Sequence, residues 1–165
     1  MKALTFIILS LFTFDTFANE TKSHLVKTWA EYSKNHTPKY STSFKWFQSE
    51  AELGDADAQN ILAFMYSRGQ GTVQNHIEAL KWYTKSAEQG NANAQSTLGS
   101  MYENGNKVIT NNKNSYIWYS LAAMAPDKRT REYNRNKRDI VAHKLSPKEF
   151  FEAQEEVAKL YERIS

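Results

Sequence analysis

A step of 36 residues recurs through the middle of the chain and limits the folds that it can adopt. Three aromatic pairs stand at this step: Trp46-Phe47, Trp82-Tyr83 and Trp118-Tyr119. Between residues 54–87 and 90–123, 12 of 34 aligned positions are identical, and most of these are small or aromatic. Self-similarity of this kind is typical of arrays in which one supersecondary unit stacks on the next. The repeat therefore predicts a solenoid.

Each copy has the pattern of two antiparallel helices. Apolar residues recur at helical spacing from Ala56 to Ser67, and Gly69 follows where a left-handed helix cap is expected. The residue types of Asn75 to Glu78 match a capping box that opens a second helix, which ends before Gly90. One such hairpin cannot bury its apolar face alone, so neighbouring copies must stack on it. We expect the Trp-aromatic pairs to form the core between hairpins.

The best-preserved motif lies in the second copy. It reads Ala51-x-x-Gly54-x-Ala56-x-Ala58-Gln59-x-x-Leu62-x-x-Met65-Tyr66-x-x-Gly69-x-Gly71-x-Val73, followed by Ala79-x-x-Trp82-Tyr83-x-x-Ser86-Ala87. This motif closely resembles the Sel1-like repeat, a relative of the tetratricopeptide repeat. The resemblance implies an all-α fold, an α-solenoid of TPR-like helical hairpins with about eight helices. It also implies a non-catalytic protein–protein interaction module that receives a protein partner on its concave face.

The segments outside the repeats complete the predicted organisation. Residues 42–124 hold about two and a half copies of the repeat. Residues 19–41 are expected to form an N-terminal capping helix. Residues 125–165 are expected to form two C-terminal capping helices, and a capping box at Ser146 to Glu149 opens the last of them.

The first of these C-terminal helices lies in a basic stretch. Residues 127–144 carry seven Lys or Arg against three Asp or Glu, and Tyr133, Ile140 and Val141 supply only a thin apolar face. We therefore predict a solvent-facing helix. A weak contact between residues 128–144 and an anionic surface is an alternative use of this charge. Binding of nucleic acid is not expected, because the stretch has few aromatic residues that can stack on bases.

The N-terminus has the pattern of a secretory signal. Met1-Lys2 is positively charged, residues 3–14 are mostly apolar, and Thr16-Phe17-Ala18 ends in a plausible cleavage site. The apolar stretch is too short for a transmembrane helix, which needs about 20 residues. We therefore expect residues 1–18 to be a signal peptide, and the mature protein to be periplasmic or secreted, from a bacterium, without a transmembrane segment.

Catalytic and metal-binding patterns are missing from the sequence. The chain has no Cys, which excludes thiol chemistry and thiolate metal sites. His24, His36, His76 and His143 have no spacing that suits a metal or a catalytic pair. We expect no enzyme activity, no cofactor and no metal. The alternatives are an envelope-associated hydrolase, such as the β-lactamase-like activity that the family resemblance suggests, and a structural brace in an envelope complex.

A candidate partner-binding surface follows from the repeat register. In the first helix of the second copy, Ala58, Leu62 and Met65 hold the motif and should face the core. The opposite face of this helix and of its equivalent in the third copy then carries six residues: Asn60, Phe64, Arg68, Ser96, Ser100 and Asn104. Phe64 is the expected anchor for a partner. The alternative is that Phe64 packs against the neighbouring hairpin.

Overall fold

The computed structural model describes residues 40–105 and 109–164. Seven helices and no strand occur in these ranges: α1 Tyr40–Glu52, α2 Ala56–Arg68, α3 His76–Ala87, α4 Ala92–Asn104, α5 Asn112–Ala122, α6 Lys128–Ala142 and α7 Pro147–Ile164. The prediction of an all-α solenoid of helical hairpins is confirmed. The predicted signal peptide lies outside the described residues, as does the predicted helix of residues 19–41 except for residues 40 and 41, which belong to α1.

The start of each helix follows the repeat. The first helices of successive copies, α2, α4 and α6, begin at residues 56, 92 and 128. Each is opened by a side chain that accepts a hydrogen bond from the backbone N–H three residues later: Asp55 from Ala58, Asn91 from Ala94 and Asp127 from Thr130. Such a cap satisfies a backbone donor that the helix itself leaves free. Helix α6 is therefore the first helix of a fourth copy, which the sequence motif did not reveal.

Within a copy, small residues let the two helices approach closely. Helix α2 packs against α3, and α4 packs against α5. At Gly99 in α4, an added Cβ would lie 2.6–2.8 Å from the ring carbons of Tyr119 in α5, so glycine is required for this approach. The buried Ser115 hydroxyl donates to the Gly99 carbonyl at 2.8 Å and ties the two helices together at the same point.

The buried apolar residues form two clusters. One joins α1 to α4 and is centred on Leu62 and Leu98, both fully buried. The other joins α5, α6 and α7, with Tyr119 and Val141 at its centre. Trp118 packs against both clusters. The core is therefore continuous from copy to copy, as expected for stacked repeats.

The aromatic pairs are only partly in the core. The second member of each pair, Phe47, Tyr83 and Tyr119, is buried. Of the tryptophans, Trp82 is 7% exposed, but Trp46 is 44% exposed, so the prediction that the whole Trp ladder is core is wrong for the first copy. Adjacent helical residues point about 100° apart, so only the second of each pair faces the hairpin partner directly. The burial of the Trp then depends on what flanks it.

Helix α6 is largely solvent-facing, as predicted, and only two of its 15 residues are buried. It packs against α5 and α4. Its predicted apolar face is wrong for Tyr133 and Ile140, which are exposed, whereas Asn134 and Val141 are fully buried. Asn134 stands 36 residues after Leu98, where the other copies place their central leucine. The repeat register accounts for the burial of Asn134 and the predicted apolar face for that of Val141, so neither alone decides which face of α6 is buried.

The last helix begins where the second helix of the fourth copy belongs, but it packs elsewhere. Second helices begin at residues 40, 76 and 112, and α7 begins at 147. The predicted capping box opens it, since Ser146 and Glu149 each accept a hydrogen bond from the backbone N–H of the other. Among the described helices, α7 packs against α5 rather than against α6. The fourth copy is therefore an opened hairpin.

Candidate protein-binding surface

The six predicted surface residues lie on the outward sides of α2 and α4. We call them the first-helix surface: Asn60, Phe64, Arg68, Ser96, Ser100 and Asn104. None of the six is buried, and Phe64, Arg68 and Asn104 are exposed. The opposite side of α2 is buried through Ala58, Leu62 and Met65. The repeat register therefore places these six residues away from the core.

Phe64 and Arg68 form a unit on α2. The Phe64 side chain is 44% exposed, on a helix whose other face is core. The Arg68 guanidinium lies over the Phe64 ring, 5.7 Å from its centroid. This is within the range of a cation–π contact, which orients both groups at the surface. Large aromatic side chains and arginine are both common at the energetic centres of protein interfaces.

The equivalent residues of α4 are polar and bonded to each other. The Asn104 side-chain amide donates to the Ser100 carbonyl at 3.0 Å and to the Ser100 hydroxyl at 3.1 Å. This part of the surface can offer hydrogen bonds but no apolar anchor. The two copies thus supply different chemistry at the same repeat positions.

The fourth copy extends this surface, and motif analysis missed it. Glu132, Asn136 and Ile140 stand 36 residues after Ser96, Ser100 and Asn104, and all three are exposed on α6. Ile140 is 47% exposed and adds an apolar residue at the far end. These residues can be found by counting a further 36 residues beyond the last copy that has a recognisable motif.

A nearly buried carboxylate joins α4 to α5 and α6. Glu103 accepts hydrogen bonds from the Tyr119 hydroxyl at 3.0 Å and from the Lys137 ammonium at 3.1 Å, and Lys144 approaches at 3.4 Å. Burial of the carboxyl opposes its ionisation, but the hydrogen bonds from Lys137 and Tyr119 outweigh burial and lower the pKa of Glu103 below 4.5. Burial, followed by the hydrogen bond to Glu103, raises the pKa of Tyr119. The cluster is a fixed ionic link between repeat copies.

Many of the Lys and Arg side chains of the basic stretch form ion pairs or hydrogen bonds with other groups of the same chain. Lys137 and Lys144 pair with Glu103, and the Arg138 guanidinium pairs with Asp139 at 2.7 Å. Arg131 donates to the backbone carbonyls of Ala125 and Pro126. Less charge is therefore free for an anionic surface than the sequence count indicates.

The described residues hold no cluster of His, Asp and Glu side chains that could bind a metal ion. Asp55 caps α2, and Asp57 accepts a hydrogen bond at 2.7 Å from the side-chain amide of Asn91, which caps α4. Both carboxylates thus have structural partners. In residues 40–105 and 109–164, no helix is long and apolar enough to cross a membrane.

Comparison with known proteins identifies the repeat. The Sel1 repeat family model matches residues 31–55, 56–91 and 92–127. Similar solved structures include the following two. The c5321 protein, a protective antigen of uropathogenic Escherichia coli with an SLR fold, has a TM-score of 0.73 and 25% identity over 82% of this chain and 28% of its own. A Sel1 repeat protein from Oxalobacter formigenes has a TM-score of 0.51 and 37% identity over 55% of this chain and 36% of its own. No curated protein matches the chain.

The chain thus spans about a third of the length of the solved relatives. Proteins built from Sel1 repeats generally act as protein–protein interaction modules, and their fold is typically a non-catalytic scaffold. The three matched segments together cover more than half of the sequence, and the second and third coincide with the hairpins α2–α3 and α4–α5. The chain therefore belongs to the Sel1 repeat family.

Proposed function

We propose that this protein is an exported, non-catalytic interaction module that binds a protein partner through the first-helix surface. In solenoids of this type the first helices line the concave face, where an extended or helical partner segment can lie. The observation that carries the proposal is the exposed Phe64 ring with the Arg68 guanidinium above it, on a helix face that the core does not use.

The surface supplies the parts that an interface needs. Phe64 is an apolar anchor, and the serine and asparagine side chains around it provide a polar surrounding. Interfaces commonly have this arrangement, with a few apolar anchors inside a polar rim. Glu132, Asn136 and Ile140 extend the surface onto α6, so that a partner segment can run across three copies.

Export is supported by the charged, apolar and small-residue pattern of residues 1–18. The description of the similar c5321 protein as a protective antigen also favours export, because antibodies must be able to reach such a protein. We infer a periplasmic or secreted location in a bacterium, with a partner in the same compartment.

The test is a pull-down from envelope extract with purified full-length protein and two variants. Phe64→Ala should reduce recovery of the partner, with a loss of more than about 1 kcal/mol in binding free energy once the partner is purified. Phe64 is about half-buried, so the same change should lower the free energy of unfolding by no more than about 1 kcal/mol.

Phe151→Ala is the matched control. Phe151 lies on α7, is 63% exposed and is outside the first-helix surface, so its removal should leave recovery of the partner unchanged. If Phe64→Ala lowers the free energy of unfolding by about 3 kcal/mol or more, the range for a buried ring, Phe64 is part of the core and the proposed surface is wrong. An equal loss of partner recovery with both variants would show that exposed aromatic rings bind the partner non-specifically.

A further inference from the structure

The fourth copy leaves a groove where the other copies place a helix. In the second and third copies, the second helix packs against the first helix of its own hairpin. In the fourth copy, α7 packs against α5, and a groove of about 460 Å³ remains between α5, α6 and α7. The groove has room for the several side chains on one face of a helix.

The residues of α6 explain why its own second helix does not close the hairpin. At the positions where α2 and α4 have Ala63 and Gly99, which allow close approach, α6 has Arg135. Where they have the buried Met65 and Met101, α6 has Lys137. A helix that packed here would have to desolvate these charges, at a cost that α7 avoids by lying on α5.

The lining of the groove combines apolar surface with positive charge. Tyr116 of α5 and Met124, in the turn after this helix, form part of one side, and Val157 and Tyr161 of α7 form part of another. Met124 is 50% exposed and Tyr161 is 48% exposed, so this apolar surface is open to a partner.

The charge in the groove has one sign. Arg135 and Arg138 of α6 line it, and no carboxylate is among its lining residues. Arg138 pairs with the adjacent Asp139, whereas no ion pair of Arg135 occurs in the described part of the chain. Three acidic residues of α7, Glu152, Glu155 and Glu156, lie on a different side of that helix, around Lys113. These carboxylates therefore do not pair with Arg135 or Arg138.

We propose that this groove is a second docking site, which takes an acidic amphipathic helix from a partner protein. The partner helix replaces the second helix that the fourth copy lacks. Its apolar face covers Tyr116, Met124 and Tyr161, and its carboxylates pair with Arg135 and Arg138. The helix-in-groove mode supplies the apolar contact, and the opposite charges select the partner and its orientation.

The test measures binding of two fluorescein-labelled peptides to the full-length protein by anisotropy. Both peptides form a helix of about five turns with leucine on one face. One carries glutamate on the other face, and the second carries lysine at the same positions. The acidic peptide should bind at least about tenfold more tightly than the basic one. Arg135→Glu should weaken binding of the acidic peptide about tenfold, and Met124→Glu should also weaken it.

Arg129→Glu is the charge-matched control, since Arg129 is exposed on α6 but does not line the groove. It should leave binding of the acidic peptide unchanged. Circular dichroism should show the same helix content in all variants, and Arg135→Gln replaces Arg135→Glu if the charge reversal prevents folding.

Equal binding of the acidic and basic peptides would overturn the proposal. An equal loss of acidic-peptide binding with Arg129→Glu would also overturn it, because it would indicate diffuse attraction to the basic stretch. Self-association that the peptide displaces would overturn it in favour of a second copy of the chain. Phe64→Ala should not change peptide binding, so this result is independent of the first-helix surface.

Discussion

Trp82 and Trp46 stand at equivalent positions of successive copies, but their surroundings differ. The Trp82 indole is buried, and the Lys85 ammonium lies 4.2 Å from its ring centroid. The Trp46 ring is nearly half exposed and contacts Phe47. The energetic role of each Trp therefore depends on its contacts and not on its place in the motif.

This difference predicts unequal effects of the same substitution. Trp82→Ala should lower the free energy of unfolding by about 3–5 kcal/mol, the usual range for removing a large buried side chain. Trp46→Ala should lower it by less, roughly 2–3 kcal/mol, because its ring is 44% exposed and less apolar surface is lost. Urea denaturation followed by circular dichroism measures both. An unchanged midpoint for Trp82→Ala would contradict its assignment to the core.

The Glu103 cluster predicts a pH dependence of stability. The pKa of Glu103 is lower in the folded protein than in the unfolded chain, so the unfolded chain binds the proton more tightly. The stabilisation is therefore fully present above pH about 4.5 and is lost as the pH falls through the lower folded-state pKa. Glu103→Gln should cost about 1–3 kcal/mol at pH 7, and its difference from wild type should shrink in acid.

The control for this experiment is Glu132→Gln. Glu132 pairs with Lys128 at 3.8 Å, and both side chains are largely exposed. Such a pair contributes less than about 1 kcal/mol. If the two variants are equally stable at every pH, the link from Glu103 to Lys137 and Tyr119 does not stabilise the fold.

Local sequence patterns predicted the ends of the helices well where the interacting residues lie within one helical turn of each other. Asp55 and Asn75 cap α2 and α3, and Gly69 ends α2 with a φ of 69°, as its position in the sequence indicated. The Asn75 capping box is only half formed, because the Asn75 N–H donates to the Tyr66 carbonyl and Glu78 pairs with Lys81. Which distant group competes for a donor cannot be predicted from a local pattern.

Helix α6 shows a second limit of sequence analysis. Of its apolar residues only Val141 is buried, and of the positions that are buried in α4 only that of Asn134 is also buried in α6. Contact with α5 and α4 buries these two residues, and a hydropathy pattern does not indicate which neighbours a helix will have. The side-chain oxygen Oδ1 of Asn134 is buried and has no hydrogen-bond partner within the described residues. A polar residue at the leucine position of the repeat is therefore destabilising here.

Gly99→Ala tests how closely the two helices of a hairpin must approach. The new methyl group would meet the Tyr119 ring at less than 3 Å, so α4 and α5 must separate or the ring must move. Alanine favours the helix by about 1 kcal/mol over glycine, and overpacking costs about 1–3 kcal/mol. We expect a net loss of up to about 2 kcal/mol in thermal or urea denaturation. A gain in stability would show that the hairpin accommodates alanine here, as it does with Ala63 in the second copy.

For the molecule as a whole, the first-helix surface could be predicted from the sequence and the groove could not. Residues such as Phe64 are placed by the repeat register alone, since packing dictates the opposite face. The groove arises because α7 lies on α5 and not on α6, which depends on the competition between two packing faces for one helix. The sequence supplies Arg135 and Met124 but does not indicate that they border the same cavity.

The predicted export concerns the whole chain. A full-length protein with a C-terminal tag should be found in the envelope fraction or the medium, without its first 18 residues. Mass spectrometry of the purified product checks the cleavage after Ala18. An intact N-terminus in a cytosolic product would contradict the signal peptide.

Trp118 lies between the two apolar clusters and packs against both. In a linear array each copy is stabilised by its immediate neighbours only, so Trp118 couples the two halves together with the packing of Tyr119 on Gly99 and the hydrogen bond from Tyr119 to Glu103. A weakened contact at Trp118 would loosen this coupling and broaden the unfolding transition. The cooperativity of the array is thus shared between a ring that bridges two apolar clusters and an ionic link beside it.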